Sequence, residues 1–124
     1  MATVELTAAD FQSTIAEKPI VLVDFWASWC GPCRSFAPVF DKSAQAHPDI
    51  VHAKVDTEAE QELAAALQIR SIPTIMAFRD GVLVFSQPGA LPALALEDLI
   101  TQITALDMDD VRAQIAAQSE ATTT

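Results

Sequence analysis

The five residues Trp29-Cys30-Gly31-Pro32-Cys33 hold both cysteines of the chain. Two thiols three positions apart, with no third thiol, are either half of a metal site or one dithiol that opens and closes. They directly follow Ile20-Val21-Leu22-Val23-Asp24-Phe25-Trp26, whose apolar residues fill nearly every position, the pattern of a strand buried on both faces. Pro32 suits the first turn of a helix, where its missing N–H is not needed. The pair therefore stands where a buried strand becomes a helix. A thiol there meets unpaired backbone N–H groups and the positive end of the helix dipole, which lowers its pKa and favours the reactive thiolate.

The spacing Cys30-x2-Cys33-x13-His47-x4-His52 also fits a two-cysteine, two-histidine zinc template. Tetrahedral coordination would need both histidines beside the thiolates. Pro48 biases His47 out of helical geometry, and His52 lies in Ile50-Val51-His52-Ala53-Lys54-Val55, which reads as a strand. A helix from Cys33 to Ala46 would carry His47 roughly 20 Å from the cysteines. The expectation is no metal: a helix end for His47 and a solvent-facing strand position for His52.

Asp24 is the second informative residue. A carboxylate within an apolar strand loses hydration worth several kcal/mol unless something compensates it. It is either a strand-end group facing water or a carboxyl of raised pKa able to exchange a proton with a nearby thiol. Pro73, in Ser71-Ile72-Pro73-Thr74, would remove a ladder bond inside a strand, so it marks a turn or a cis peptide.

Asp24-Phe25-Trp26-Ala27-Ser28-Trp29-Cys30-Gly31-Pro32-Cys33 resembles the active-site segment of the thioredoxins. The resemblance runs from about Thr3 to about Leu106, with further landmarks at Pro38, Lys54-Val55-Asp56, Ser71-Ile72-Pro73-Thr74, Asp80-Gly81 and Gly89-Ala90-Leu91. It implies a thioredoxin fold and a protein disulfide reductase working by thiol-disulfide exchange, with Cys30 as nucleophile and Cys33 as resolving thiol. Cys30 is expected to be the nearer to solvent. Gly31 permits the tight turn, and Pro32 restricts the reduced pair. The resemblance makes Asp24 the proton-exchange group with Lys54 near it, although Lys54 also reads as an ordinary exposed lysine. It makes the Ile72-Pro73 bond cis and assigns a substrate groove to Trp29, Ile72, Pro73, Gly89 and Ala90; Trp26 is either beside that groove or simply core. It further implies no permanent cofactor, disulfide-containing protein substrates, and an NADPH-dependent flavoprotein thioredoxin reductase as electron donor. Pro88, ahead of Gly89, departs from the family pattern by removing a backbone donor beside the groove.

Positioning these residues requires alternating strands and helices. Thr7 and Asp10 resemble a capping box opening a helix to about Glu17. The strand Ile20 to Trp26 leads to a helix from about Cys33 to Ala46 that Pro38 should kink. A strand over Val51 to Asp56, a second capping box at Thr57 and Glu60, and a helix to about Leu67 follow. Thr74 to Phe78 and Val82 to Phe85 flank Asp80-Gly81 as a hairpin, and a helix runs from near Pro92 to about Leu106. The order implies an α/β fold with a central mixed sheet covered by helices. Residues 1–106 are expected to form the domain and 107–124 a short C-terminal extension. In the extension Met108, Val111 and Ile115 form a thin apolar stripe, and Ser119 to Thr124 reads as disordered.

A chain of 124 residues, half of them hydrophobic, suits one core. Seventeen acidic against seven basic residues, net −10, disfavour nucleic acid and anionic lipid as partners. Nothing resembles a signal peptide or the ~20 apolar residues of a membrane span. The expectation is a cytoplasmic monomer, in a reducing compartment where a catalytic dithiol is more at home than a structural disulfide. The alternative function class is a binding module whose dithiol is incidental.

Overall fold

The computed structural model describes residues 2–123, with side chains described through residue 118. Strand β2, Ile20–Trp26, is the centre of a five-stranded sheet ordered β1-β3-β2-β4-β5. Its residues 21–25 are wholly enclosed, as a strand covered on both faces requires. β1 (Thr3–Glu5), β3 (Val51–Asp56) and β2 run parallel, whereas β4 (Thr74–Arg79) and β5 (Val82–Pro88) are antiparallel to their neighbours. The β4–β5 turn places Asp80 at φ 51° and Gly81 at φ 81°, the left-handed pair that matches hairpin twist.

Helices cover both faces. On one, α1 (Ala8–Glu17) packs Phe11 and Ile15 against Val21, Val23, Phe25 and Val55. On the other, α2 (Gly31–Ala46) and α4 (Ala93–Ala105) pack Phe36, Phe40, Leu96 and Ile100 against Leu22, Ile75 and Ala77. α2 runs through Pro38 as one element. At Thr7 the anticipated box forms: the Asp10 carboxylate accepts from the Thr7 N–H at 2.6 Å.

The second capping box does not form. Thr57 Oγ1 donates to the Trp26 carbonyl at 3.0 Å, and Glu60 Oε1 accepts from the Ala8 N–H at 2.8 Å. Both side chains are held by distant backbone, and α3 is confined to Gln61–Ala66. β1 was not foreseen; three residues carry too little pattern to read as a strand.

The chain continues into α5, Met108–Thr123. Asp107 Oδ1 accepts from the N–H groups of Asp109 and Asp110 at 3.0 and 3.2 Å, capping its start. Arg79 Nη1 donates to the carbonyls of Ile103, Thr104 and Leu106 at 2.6, 3.1 and 3.0 Å, closing the end of α4 and fixing the junction. Of the expected stripe, Met108 is buried, Val111 half-buried and Ile115 largely exposed. Residues 119–123, expected from the sequence to be disordered, continue α5, and Thr124 lies outside the described residues.

Candidate functional site

Cys30 and Cys33 are joined as a disulfide at the junction of β2 and α2. Cys30 is the N-cap of α2, and its Sγ accepts from the Cys33 backbone N–H at 3.2 Å. A sulfur in that position occupies one of the sites left by the orphan donors of a helix start, an arrangement that stabilises negative charge when the bond opens. Cys30 Sγ also lies 3.7 Å from the Ile72 carbonyl oxygen. The expected contrast in solvent exposure is absent. Cys30 and Cys33 are 4% and 3% exposed, because Ala27, Trp26 and Ile72 pack around the pair. What separates the two sulfurs is helix position: Cys30 sits outside the first turn and Cys33 inside it. Pro32 lies within that turn and is exposed, and Gly31 opens it.

Asp24 is wholly buried, not solvent-facing, and neither carboxyl oxygen has a hydrogen-bond partner among the described residues. Burial pushes its pKa up to about 7, opposed by the Lys54 ammonium and reinforced by the Glu5 carboxylate. A carboxyl near neutrality can both take and return a proton at ordinary pH. Lys54 stands beside it in the β2–β3 register, its Nζ 4.9 Å from the centroid of the Trp26 ring. Trp26 therefore belongs both to the wall around the cysteines and to the cation's resting place.

The Ile72-Pro73 peptide is cis, and the Pro73 carbonyl accepts from the Gly89 N–H at 2.7 Å. This joins the Ile72 loop to the end of β5, where Gly89 has φ 101°, a conformation that disfavours any side chain. Pro88 is the last residue of β5, opposite Thr74. Trp29, immediately before Cys30, is 65% exposed, with its indole N–H donating to Glu58 Oε1 at 2.6 Å. Gly89 and Ala90 are exposed as well. Glu58 was not singled out from the sequence; its position follows from Asp56 Oδ1 accepting from the Glu58 N–H at 2.9 Å, a local turn signal.

The two histidines lie elsewhere. His47 caps the opposite end of α2, with Nε2 2.9 Å from Glu97 Oε2. The solvent-facing position expected for His52 is incorrect: it is 1% exposed, Nε2 is 2.9 Å from Ser43 Oγ and Nδ1 is 3.0 Å from the Ile50 carbonyl. The reason is that α2 covers this face of β3, so alternation leaves no outward side. Among the described residues, no group of three or more His, Cys, Asp and Glu is gathered as a metal site would require.

The Thioredoxin family model matches residues 2–102. The chain belongs to the thioredoxin family. It is 56% identical over 117 residues to a Streptomyces coelicolor protein named as a thioredoxin, covering 94% of this chain and 87% of that one. Thioredoxin 1 of Synechococcus elongatus is 46% identical over 97 residues, 77% of this chain and 91% of the relative. Among solved structures, a thioredoxin variant from Halobacterium salinarum superposes with a TM-score of 0.78 at 33% identity, covering 86% of this chain and 95% of that one. The Streptomyces match is long enough to include part of the segment beyond Leu106. As a family member with its cysteines paired at the start of α2, the chain is a protein-disulfide oxidoreductase. No helix among the described residues is long and apolar enough to cross a membrane.

Proposed function

We propose that the chain acts as a general protein disulfide reductase in the cytoplasm, as a monomer, and is returned to its dithiol form by an NADPH-dependent flavoprotein thioredoxin reductase. The observation that carries this reading is the Cys30 sulfur at the N-cap of α2, hydrogen-bonded to the Cys33 N–H and beside the Ile72 carbonyl.

In the reduced protein the Cys30 thiolate attacks one sulfur of a substrate disulfide, forming a mixed disulfide and releasing the other substrate sulfur as a thiolate that takes up a proton. Cys33 then gives its proton to Asp24 and attacks Cys30, forming the intramolecular disulfide and releasing the second substrate thiolate. Two electrons pass from the dithiol to the substrate. Trp29, Ile72, Pro73, Gly89 and Ala90 are the surface for the substrate chain. Pro73 contributes no N–H, leaving neighbouring backbone to pair with an extended segment. Trp29, anchored by Glu58, offers a rigid aromatic face. Pro88 offers no N–H either, which narrows the range of chains that pair there.

The thiol order is tested by mass spectrometry after each variant meets a disulfide substrate. Cys33→Ser should accumulate the mixed disulfide, and Cys30→Ser should form none and lose reductase activity. Trapping by Cys30→Ser instead would reverse the roles. A wild-type chain unable to reduce insulin with NADPH and a thioredoxin reductase would favour a binding module. We also assign residues 1–106 to the catalytic domain and 107–124 to an accessory extension. Deletion after Leu106 should leave insulin reduction within about threefold and lower stability by no more than about 2 kcal/mol, since Met108 is the main apolar side chain that α5 buries among the described residues.

A further inference from the structure

Glu5, Lys54 and Asp24 stand side by side on three adjacent strands. The β1–β3 register pairs Glu5 with Lys54, and the β2–β3 register pairs Asp24 with Lys54. Laterally paired residues project to the same face of a sheet. The row therefore reads carboxylate, ammonium, carboxyl from the sheet edge to its centre. Its outer member is exposed and its inner member wholly buried. The row ends at Ile75 of β4, which is apolar. α4 packs on this face through Leu96, Leu99 and Ile100, and α2 through Phe36 and Phe40, with the cysteine pair at its start. Asp56, two residues beyond Lys54 on β3, is the other acidic group near the row, and it acts on Glu5.

Lys54 thus has two carboxyl neighbours and the Trp26 ring, while Asp24 faces a single cation. We propose that Glu5 is a positioning residue for the proton step: its carboxylate competes with Asp24 for the Lys54 ammonium, which leaves the buried Asp24 carboxylate ready to take the Cys33 proton. The inference rests on the role given to Asp24 above. The charges act in the required directions. Lys54 lowers the pKa of both carboxyls, Glu5 raises that of Asp24, and Glu5 is itself raised by partial desolvation at the sheet edge and by Asp56. Removing the Glu5 charge ends its repulsion of Asp24 and leaves Lys54 to Asp24 alone, so both effects favour ionisation at the centre of the sheet.

The test is an NMR titration of the Asp24 carboxyl carbon in the reduced full-length chain. Glu5→Gln should lower its midpoint by about half a pH unit, and Lys54→Met should raise it. In the combined variant the Glu5→Gln shift should shrink, because the shared cation is gone. The pH profile of single-turnover mixed-disulfide resolution should move with the midpoint. A Glu5→Gln midpoint within about 0.1 unit of wild type would overturn the proposal. So would an undiminished shift in the Lys54→Met background, which would mean that Glu5 acts by its field alone. If Glu5→Gln leaves midpoint and profile in place while Asp24→Asn slows resolution, Glu5 is excluded and the role of Asp24 stands. If the midpoint moves but Asp24→Asn resolves as fast as wild type, the role of Asp24 has failed, and the proton step assigned to Glu5 fails with it.

Discussion

Asp24 and His52 are both buried on the face of the sheet covered by α2 and α4, on adjacent strands β2 and β3. His52 has a partner for each ring nitrogen, Ser43 Oγ and the Ile50 carbonyl. Asp24 has none for either oxygen among the described residues. Burial moves the two pKa values in opposite directions, raising Asp24 and lowering His52, because in each case it disfavours the charged form. The difference separates a buried polar group whose hydrogen bonds are satisfied from one whose oxygens have no partner among the described residues. Hydrogen bonds at both nitrogens tie the His52 ring to α2 and to the residue before β3, whereas the Asp24 carboxyl, toward the cysteine end of β2, has no hydrogen-bond partner among the described residues.

The largest expected effect is on pH-dependent stability. With Asp24 raised from 3.8 to about 7, the native state binds the proton more tightly than the unfolded one. Its contribution is full below the unfolded value and is lost as pH rises through the folded one. The advantage of Asp24→Asn over wild type should therefore grow by about 3 kcal/mol between pH 4 and 7, then level off above pH 8, as read by urea denaturation. The variant should also resolve mixed disulfides more slowly near neutrality. His52 works the other way: its folded pKa is lowered, so its contribution is present above the unfolded value and lost as pH falls toward the folded one. With Asp24 removed, that acid-side loss of stability should emerge below about pH 6.5. A flat curve there would erase the contrast.

Ser43→Ala sharpens the comparison from the other side. It leaves a buried ring nitrogen without its hydroxyl partner and should cost about 1–3 kcal/mol, measured by thermal or urea unfolding, with insulin reduction unchanged. A change in the pH profile of reduction would show that the His52 pair is coupled to the thiols. The smallest effect belongs to a polar pair at the surface. Arg112 Nη2 lies 3.7 Å from Asp80 Oδ2 with both side chains well exposed, and Arg112→Ala should shift stability by less than about 0.5 kcal/mol. A loss as large as that of Ser43→Ala would mean that pairing, not burial, sets these magnitudes.

Local sequence determined the elements whose signals are complete within a few residues. The apolar run of β2, the Thr7–Asp10 box, the Asp80-Gly81 turn and the placement of the cysteines at a helix start were legible because each depends on near neighbours along the chain. The same logic misread Thr57 and Glu60, whose side chains bond the backbone of Trp26 and Ala8 instead of capping their own helix. Exposure was also decided by tertiary structure. His52 alternates with apolar residues as an outward position would, but β3 lies between two strands and α2 packs across it at His52, so this position is enclosed. Cys30 is first at the helix start yet as enclosed as Cys33, because Ile72 arrives from 42 residues away. The row of Glu5, Lys54 and Asp24 exists only once β1 and β2 flank β3. Type and spacing along the chain supplied the dithiol and its helix, whereas proton affinity depends on burial and on charges brought together by strand register, which no local pattern encodes.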